Sequence, residues 1–381
     1  MKKKKILFLI NDLSFFISHR LPIAENLLRN GFDVVIGYGE LGRSKSKILE
    51  EKGFKVTFIP INRGSTNIFK ELRSVYYIWS FFKKEVPDIC HVITIKPYLY
   101  GGVISRLLAI PCLVSAVSGL GTIFINKNLK SKLLRFLLFP IFKIAFSHPN
   151  QKIILHNKED ESLLVKWGVL NQDNVKIING SGVNIDNFKK IEEPSGVPVV
   201  SFAGRLIADK GINEFISAAR ILLSRDIKAK FYIAGDLDLH NPSGLKDISL
   251  KKINEERIVE LLGFQKDIPL LFAKSHIICL PSYREGLPKT LIEAAAASRA
   301  IVTTNVPGCR DAIIPNKTGL LVPAKDSKKL ADALEWLIKN PQQRIEMGKA
   351  GRKYAIKKFA IEIIVQNHFD IYQNLLSNRY T

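Results

Sequence analysis

The stretch HIICLPSYREGLPKTLIEAAAA, residues 276–297, predicts a buried strand that runs through a turn into a helix. Its first half is apolar, and Pro288 suits the first turn of a helix, where its missing N–H costs nothing. The alanines that follow have small side chains, which allow close packing. Glu285 is therefore expected on the loop at the carboxyl end of the strand, and Glu293 about a turn and a half inside the helix. Both carboxylates can face one crevice.

The same order of strand and helix recurs along the whole chain. Short β-branched runs alternate with segments of helical periodicity, and a polar stretch at 189–198 interrupts the alternation once. Such an order is typical of parallel sheets covered by helices on both faces. It predicts an α/β protein of two doubly wound, Rossmann-like domains that face each other across a cleft, with ligands outside the carboxyl ends of the strands. The predicted strands are 4–10, 33–39, 55–61, 88–93, 112–117, 152–157, 175–182, 199–205, 229–236, 258–264, 276–281, 300–306 and 319–324.

The length of 381 residues also favours two domains over one. We expect the first domain at residues 1–190 and the second at 191–360. The last segment, 361–381, is helical by periodicity and can return to pack on the first domain. No run of eighteen or more apolar residues interrupts this order, so no membrane-spanning helix is expected. The start, MKKKKILFLIND, fits a first core strand better than a signal peptide.

Charge and cysteine content restrict the class of protein. The chain carries 57 Lys and Arg against 35 Asp and Glu, a formal net charge of +22. Residues 1–190 hold 29 basic and 14 acidic residues, so most of the excess lies in the first half. Such a balance indicates an anionic partner, which can be nucleic acid, anionic lipid or a phosphorylated substrate. The four cysteines have no CxxC spacing, which argues against a zinc site or disulfide framework and fits a reducing cytoplasm.

Two cations follow the first strand of the second domain. Arg205 comes directly after Gly204, and Lys210 follows five residues later. A guanidinium fork and a point charge at this spacing suit a diphosphate, although ordinary surface cations would look the same. With the diphosphate at the start of the Pro288 helix, Glu293 can accept hydrogen bonds from the hydroxyls of a ribose. Glu285 can accept hydrogen bonds from the hydroxyls of a second sugar. A nucleotide-sugar has these parts in this order.

Several motifs of the second half resemble the family 4 retaining glycosyltransferases, which have the GT-B fold. The segment EGLPKTLIE matches the E-x7-E motif of that family, and the resemblance covers nearly the whole chain. The matching segments are GRLIADKGI (204–212), YIAGD (232–236), LLGFQKDIPLLFAKSHIICLPSYREGLPKTLIEA (261–294), TTNVPGCRDAI (303–313) and NKTGLLVPAKD (316–326).

This resemblance implies a donor site in the second domain. Glu293 would hold the ribose and Glu285 the transferred sugar, while Arg205 and Lys210 would hold the diphosphate after Gly204. The turn at Gly263 and Phe264 would frame the base, and backbone groups of Gly286, Leu287 and Pro288 would line the sugar–phosphate site. Glu285, Arg205 and Lys210 are the expected catalytic residues.

The first domain resembles a PglA-like branch of the family that builds bacterial surface polysaccharides. The matching segments are FISHRLPIAENL (16–27), HVITIKPYLYGG (91–102) and SAVSGLGTIF (115–124). The branch implies transfer of an N-acetylhexosamine or derivative from a UDP-sugar to a saccharide on undecaprenyl diphosphate, for O-antigen, lipopolysaccharide or capsule. His19, Arg20 and Lys96 would face that acceptor. Many members of the family have a histidine in the loop after the fourth strand. His91 precedes that loop and is interpreted as a buried structural residue.

The expected chemistry needs neither a cofactor nor a metal. No protein base is assigned, because in front-face attack the departing phosphate oxygen can take the proton of the acceptor. A covalent intermediate on a carboxylate is the open alternative. Asp236 and Asp238 follow a strand of the GT-B type and are interpreted as loop rather than as a metal site. The UDP-sugar is a substrate.

Residues 127–146, KNLKSKLLRFLLFPIFKIAF, combine apolar residues with Lys130, Lys132, Arg135 and Lys143. This segment is expected to lie on the anionic inner leaflet of the cytoplasmic membrane and to make the enzyme a peripheral, cytoplasmic one. A helix of the first domain with an apolar core side is the alternative. Residues 69–84 are interpreted as a helix packed on the core.

Two other functions use the same features. A GT-B nucleotide-sugar epimerase would share the fold and the donor but need no acceptor. A basic module that binds nucleic acid would explain the charge but leave Glu285 and Glu293 without a role. Because the sequence has no RNA-binding motif or DNA-reading helix, we expect no nucleic-acid partner.

Overall fold

The chain forms two compact units in a computed structural model. The structure describes residues 3–62, 64, 67–120, 124, 129–189, 192–238, 244–245, 253 and 255–378. Met1–Ser181 and Glu362–Thr381 make up the first unit, and Gly182–Ile361 the second. Each unit is a parallel sheet with helices on both faces.

Among the described residues of the first unit, seven parallel strands form a sheet in the order β3-β2-β1-β4-β5-β6-β7. Its central strands are apolar on both faces, which is the pattern of a parallel sheet covered by helices. The order reverses between β1 and β4, where Ile6 pairs with Ile89. The strands are β1 (Lys5–Asp12), β2 (Asp33–Leu41), β3 (Lys55–Phe58), β4 (Ile89–Ile93), β5 (Cys112–Val117), β6 (Gln151–Leu155) and β7 (Val175–Ile177).

Successive residues of β1 point into two different cores, one on each face of this sheet. Phe8 packs with the first two helices, whereas Leu7 and Leu9 pack with α4, α5 and α6. Side-chain caps fix several helix starts, and the Asn67 side chain accepts from the backbone of α4. The helices are α1 (Leu13–His19), α2 (Leu21–Arg29), α3 (Ser46–Glu51), α4 (Ile68–Glu85), α5 (Ile95–Leu107), α6 (Leu129–Ala145) and α7 (Lys158–Lys166).

In the described part of the second unit, six parallel strands form a sheet in the order β10-β9-β8-β11-β12-β13. Here the order reverses between β8 and β11, and loops that leave adjacent strands at such a point form a crevice. The strands are β8 (Val199–Ala203), β9 (Lys230–Ala234), β10 (Glu260–Gly263), β11 (Ile277–Leu280), β12 (Ala300–Thr304) and β13 (Gly319–Val322). The helices are α8 (Ile212–Ser224), α9 (Ile268–Ala273), α10 (Lys289–Ala296), α11 (Ser327–Lys339) and α12 (Pro341–Lys358).

These two sheets confirm the predicted α/β class with two doubly wound, Rossmann-like domains. The boundary lies between Ser181 and Gly182, ahead of the polar stretch at 189–198. Val183 already pairs with Ala360, and Phe188 lies in the core of the second unit. The polar stretch is therefore part of the second unit, where Glu193 forms a buried ion pair with Arg344.

The last helix, α13 (Ile361–Ser377), belongs to the first unit. Its apolar side packs into the same core as Phe8, through Ile364, Ile371 and Tyr372. Among the described residues, no helix is long and apolar enough to cross a bilayer.

Gly211 provides a test of how β11 and the start of α8 fit together. Its φ is +75°, and an added Cβ would lie 2.0 Å from the Pro281 carbonyl oxygen. Gly211→Ala is expected to destabilise the second unit by roughly 3 kcal/mol, because backbone strain and the clash add. Urea unfolding measures this effect.

Gly196→Ala is the matched control. Gly196 also has a positive φ, +99°, but an added Cβ would meet nothing within 4 Å. The control should cost only the backbone strain, about 1–2 kcal/mol. Equal losses in the two variants would contradict the proposed contact with Pro281.

Candidate active site

The loops after β8 and β11 meet at the reversal of the second sheet. The backbone N–H of Tyr283 donates to the Asp209 carbonyl at 2.9 Å, which joins the two loops directly. The Thr290 hydroxyl donates to the Ala203 carbonyl at 3.1 Å and fixes the start of α10 against the end of β8. The fold thereby brings the predicted Lys210 into contact with the predicted Glu285.

Lys210 and Glu285 form an ion pair at this point. The Lys210 Nζ donates to the Glu285 Oε1, and both side chains are largely buried. The backbone of Glu285 is held in place on both sides. The Glu285 N–H donates to the Pro307 carbonyl at 3.2 Å, and Gly308 packs closely against the Glu285 carbonyl. A fixed carboxylate and a fixed ammonium thus lie side by side, which suits a ligand with both hydroxyl and phosphate groups.

Glu293 lies on the first turns of α10, as the sequence predicts. Its side chain is 16% exposed and lies 3.4 Å from the Lys289 ammonium. Burial raises the pKa of the Glu293 carboxyl, and the Lys289 charge acts in the opposite direction. Pro288 is the residue that precedes the helix rather than part of its first turn. Gly286 and Leu287 lie in the loop between Glu285 and this helix start.

Arg205 extends from the end of β8 and forms an ion pair with Asp238, at 2.5 Å from Nη1 to Oδ2. Asp238 follows β9, the neighbouring strand, and its role as the partner of Arg205 was not predicted. The strand order would have identified this pair. Because β9 lies beside β8, a carboxylate that follows β9 is within reach of a cation that follows β8. Gly204 directly precedes Arg205, and its N–H donates to the Ala234 carbonyl at 3.0 Å.

Tyr283 is a second residue that sequence reasoning missed. Its hydroxyl donates to the Glu214 carboxylate, at 2.8 and 2.9 Å from the two oxygens. The Lys325 ammonium lies 4.8 Å from the centre of its ring. Burial, followed by the Glu214 carboxylate, raises the pKa of the Tyr283 phenol, so that it remains a hydrogen-bond donor at neutral pH. These contacts hold the loop two residues before Glu285.

Gly263 ends β10 with a φ of +63°, and its carbonyl accepts from the Gly235 N–H at 2.8 Å. Next to it, Phe264 is exposed. A cavity of ≈ 400 Å³ lies beside Gly263, between the residues that follow β8 and β9. A larger groove of ≈ 590 Å³ near Asp186 and Asp267 contains none of the predicted donor residues. The smaller cavity is therefore the one that adjoins the candidate site.

The predicted acceptor residues of the first unit have different surroundings. Lys96 forms an ion pair with Glu71 at 2.6 Å and donates to the Asn62 carbonyl at 2.7 Å. His19 stacks on Phe15, with the ring centres 4.0 Å apart. The Lys96 charge is thus neutralised within the unit, while His19 remains partly exposed.

Arg20, in contrast, is 0% exposed. Its Nη1 donates to the His19 carbonyl, and burial lowers the pKa of the guanidinium to about 10. His91 is also fully buried, and its Nδ1 lies 2.7 Å from the Tyr372 hydroxyl. The interpretation of His91 as a buried structural residue agrees with this position. Arg20 contributes to the interior of the first unit.

Groups of three or more His, Cys, Asp or Glu side chains that could hold a metal ion do not occur among the described residues. Asp238 is occupied by Arg205, as described above. The expectation that no metal is required stays a prediction.

The fold and the site together define a glycosyltransferase of the GT-B class. The family profile "Glycosyl transferases group 1" matches residues 183–354, and the profile "Glycosyl transferase 4-like" matches residues 5–157. The chain belongs to the family 4 glycosyltransferases.

Three curated proteins resemble the chain over most of their length. The N,N'-diacetylbacillosaminyl-diphospho-undecaprenol alpha-1,3-N-acetylgalactosaminyltransferase of Campylobacter jejuni is 28% identical over 87% of this chain and 88% of its own. The capsular polysaccharide biosynthesis glycosyltransferase CapM of Staphylococcus aureus is 26% identical, over 99% and 98%. The UDP-Gal:alpha-D-GlcNAc-diphosphoundecaprenol alpha-1,3-galactosyltransferase of Escherichia coli is 27% identical, over 84% of each chain.

Solved structures support the fold. Sucrose-phosphate synthase from Thermosynechococcus elongatus has a TM-score of 0.80 at 18% identity, over 99% of this chain and 100% of its own. Anabaena Alr3699/HepE in complex with UDP-glucose has a TM-score of 0.78 at 19% identity, over 98% and 99%. Likeness at this level of identity establishes the shared GT-B architecture.

The raised pKa of Glu293 predicts a pH-dependent cost to stability. The native carboxyl keeps its proton to a higher pH than in the unfolded chain, so the stability it contributes falls as pH rises above the unfolded pKa, about 4.3. Glu293→Gln should therefore stabilise the second unit at neutral pH, with a gain that shrinks toward acidic pH. Urea midpoints measured across this range test the effect.

Glu346→Gln, at an exposed position of the same unit, is the control and should show no such trend. A difference between wild type and Glu293→Gln that stays constant with pH would contradict the burial argument.

Proposed function

We propose that the protein is a retaining glycosyltransferase that moves a sugar from a UDP-sugar to a saccharide on undecaprenyl diphosphate. The sugar would be an N-acetylhexosamine or a derivative, and the product would serve bacterial surface polysaccharide or glycan synthesis. The observation that carries the proposal is the Lys210–Glu285 ion pair at the reversal of the second sheet, with Glu293 on the helix that follows this loop. The lipid-diphosphate acceptors in the names of two relatives support it.

Each donor residue has a role that follows from its position. Glu293 accepts hydrogen bonds from the ribose hydroxyls, and Glu285 accepts them from the transferred sugar. The start of α10 offers the positive end of its dipole to the diphosphate. The uracil base of the donor occupies the cavity beside Gly263 and the exposed Phe264.

The reaction proceeds by front-face attack. An acceptor hydroxyl oxygen bonds to the anomeric carbon while the bond from that carbon to the diphosphate oxygen breaks, and the departing oxygen takes the hydroxyl proton. Arg205 and Lys210 stabilise the negative charge that grows on the diphosphate. Before the donor binds, these cations are held by Asp238 and Glu285, so binding exchanges a carboxylate partner for a phosphate one. No cofactor or obligatory metal takes part.

The acceptor side belongs to the first unit. His19 is partly exposed and can donate to the acceptor, and Lys96 can do so if it leaves Glu71. Arg20 supports this region from the interior through its bond to the His19 carbonyl. We expect no nucleic-acid partner.

We propose that α6 contacts the inner leaflet of the cytoplasmic membrane. Phe136 is 75% exposed, and Leu133 and Leu137 are also exposed. Phe142, in contrast, is buried in the core. Lys132 and Lys143 are exposed and Arg135 half-buried, and α6 contains no acidic residue. The Lys130 side chain and Lys127 lie outside the described part of the chain. One end of α6 thus packs on the core, and the other is suited to an anionic bilayer.

Calorimetric titration with UDP, GDP, ADP and dTDP, with and without magnesium, tests the donor assignment. Saturable binding of UDP without metal is the expected result. Preference for another nucleotide would change the donor class, and no binding to any of them would overturn the proposal. Conversion of a UDP-sugar without acceptor would favour an epimerase.

Substitution of Glu293 and of Glu285 should affect different steps, UDP binding and sugar transfer respectively. Glu293→Ala is expected to weaken UDP binding by on the order of tenfold, because hydrogen bonds from the ribose to a carboxylate are lost. Glu285→Ala should leave UDP binding nearly unchanged but suppress sugar transfer. Calorimetry with UDP and a radiolabelled transfer assay measure the two effects. Variants that bind UDP and transfer sugar like wild type would refute these roles.

Asp238→Asn should tighten UDP binding about two- to fivefold. It releases Arg205 from an ion pair that, at this exposure, is worth up to ~1 kcal/mol. Asp332→Asn is the control, because it breaks the Arg225–Asp332 pair of the same unit, away from the site. Weaker UDP binding in Asp238→Asn would mean that Asp238 orients Arg205 and does not compete for it.

A further inference from the structure

The helix α4 has an exposed apolar side that the sequence pattern did not predict. Its inner side is buried against the sheet through Ile78, Phe81 and Phe82. The opposite side, here called the outer face of α4, exposes large apolar and aromatic residues, with Phe69 78% exposed. The exposed apolar residues of this face are Ile68, Phe69, Leu72, Tyr76 and Tyr77.

The outer face of α4 carries cations, while both carboxylates of the helix turn inward. Glu71 forms an ion pair with Lys96 at 2.6 Å and accepts from the Tyr100 hydroxyl at 2.7 Å. Glu85 is buried, with Lys55 at 2.7 Å and Lys5 at 3.4 Å. The outer face is thus left with positive charge interleaved with apolar groups. The exposed cations of α4 are Lys70, Arg73, Lys83 and Lys84.

The outer face of α4 lies in the same layer as α6. Side chains of α4, α5 and α6 pack into one core on one face of the first sheet, with α5 between the other two helices. Their exposed sides therefore point away from the same face of the sheet. The exposed end of α6, with Leu133, Phe136 and Leu137, has the same combination of apolar and basic residues on the same side of the sheet.

We propose that the outer face of α4 binds an anionic lipid bilayer as a second contact beside α6. Tyr76 and Tyr77 suit the level of the lipid headgroups, where aromatic rings with a polar end are favoured. The Arg73 guanidinium lies over the Tyr77 ring and can reach lipid phosphates from there. A second copy of the chain fits this surface poorly, because a symmetric contact would bring its own cations together. The inference rests on the proposed function only in that the acceptor lies in a membrane.

Co-sedimentation of the full chain with lipid vesicles tests the proposal. One set of vesicles contains phosphatidylcholine alone, and the other also contains phosphatidylglycerol. Wild type should bind the second set preferentially. The triple variant Phe69→Ser, Leu72→Ser, Tyr76→Ser should lose on the order of tenfold in partitioning, since apolar contact and charge act together. Lys83→Ala with Lys84→Ala should weaken binding to the anionic vesicles alone.

A matched triple variant in the second unit controls for the loss of exposed apolar surface. Leu223→Ser, Leu270→Ser, Ile356→Ser removes side chains that are likewise exposed. It should bind vesicles like wild type. Thermal unfolding monitored by circular dichroism verifies that each variant is folded. Unchanged partitioning of the folded α4 variant would overturn the proposal, as would a wild-type oligomer that this variant dissociates.

The same variants separate this proposal from the function on which it rests. The α4 variant should keep wild-type UDP affinity and transfer to a short-chain, water-soluble acceptor, but lose transfer to an acceptor embedded in vesicles. Equal transfer to both acceptors would count against membrane binding by α4. Failure of wild type to bind UDP would count against the donor site and leave the vesicle result standing.

Discussion

The pairing of β8 with β11 is the contact on which the candidate site depends. These strands are far apart in sequence, yet their adjacency places the loop that carries Lys210 against the loop that carries Glu285. The start of α10 and the loop after β11 are attached to this pair of strands. Thr290 ties α10 to the end of β8, and Tyr283 joins the β11 loop to the carbonyl of Asp209. The opposite charges of Lys210 and Glu285 neutralise each other at this point.

This arrangement explains which parts of the site could be predicted from the sequence. The segment at 276–297 encodes its strand, turn and helix locally, and Glu285 and Glu293 lie where that pattern puts them. The alternation of strands and helices likewise fixed the two parallel sheets, because both periodicities are local. The roles of the residues came from the resemblance to a family, which short motifs carry well.

Features that depend on distant contacts escaped the sequence pattern. Asp238 forms an ion pair with Arg205 because β9 lies beside β8. Arg20 looks like a surface cation in sequence, but the break between α1 and α2 turns it into the interior, where Tyr372 of the last helix also lies. On α4, periodicity identifies the apolar inner side but gives no account of an opposite side that is apolar as well.

The return of the last helix to the first unit has a consequence for how the chain reaches its native state. The His91 ring bonds to the Tyr372 hydroxyl across 281 residues of sequence, and Ile364 and Ile371 fill the same core. During synthesis the first sheet emerges long before the helix that completes one of its faces. The second unit, which is continuous in sequence, can close its core first. Until α13 has been synthesised, the apolar surface beside Phe8 and His91 lacks the helix that covers it and is exposed to aggregation.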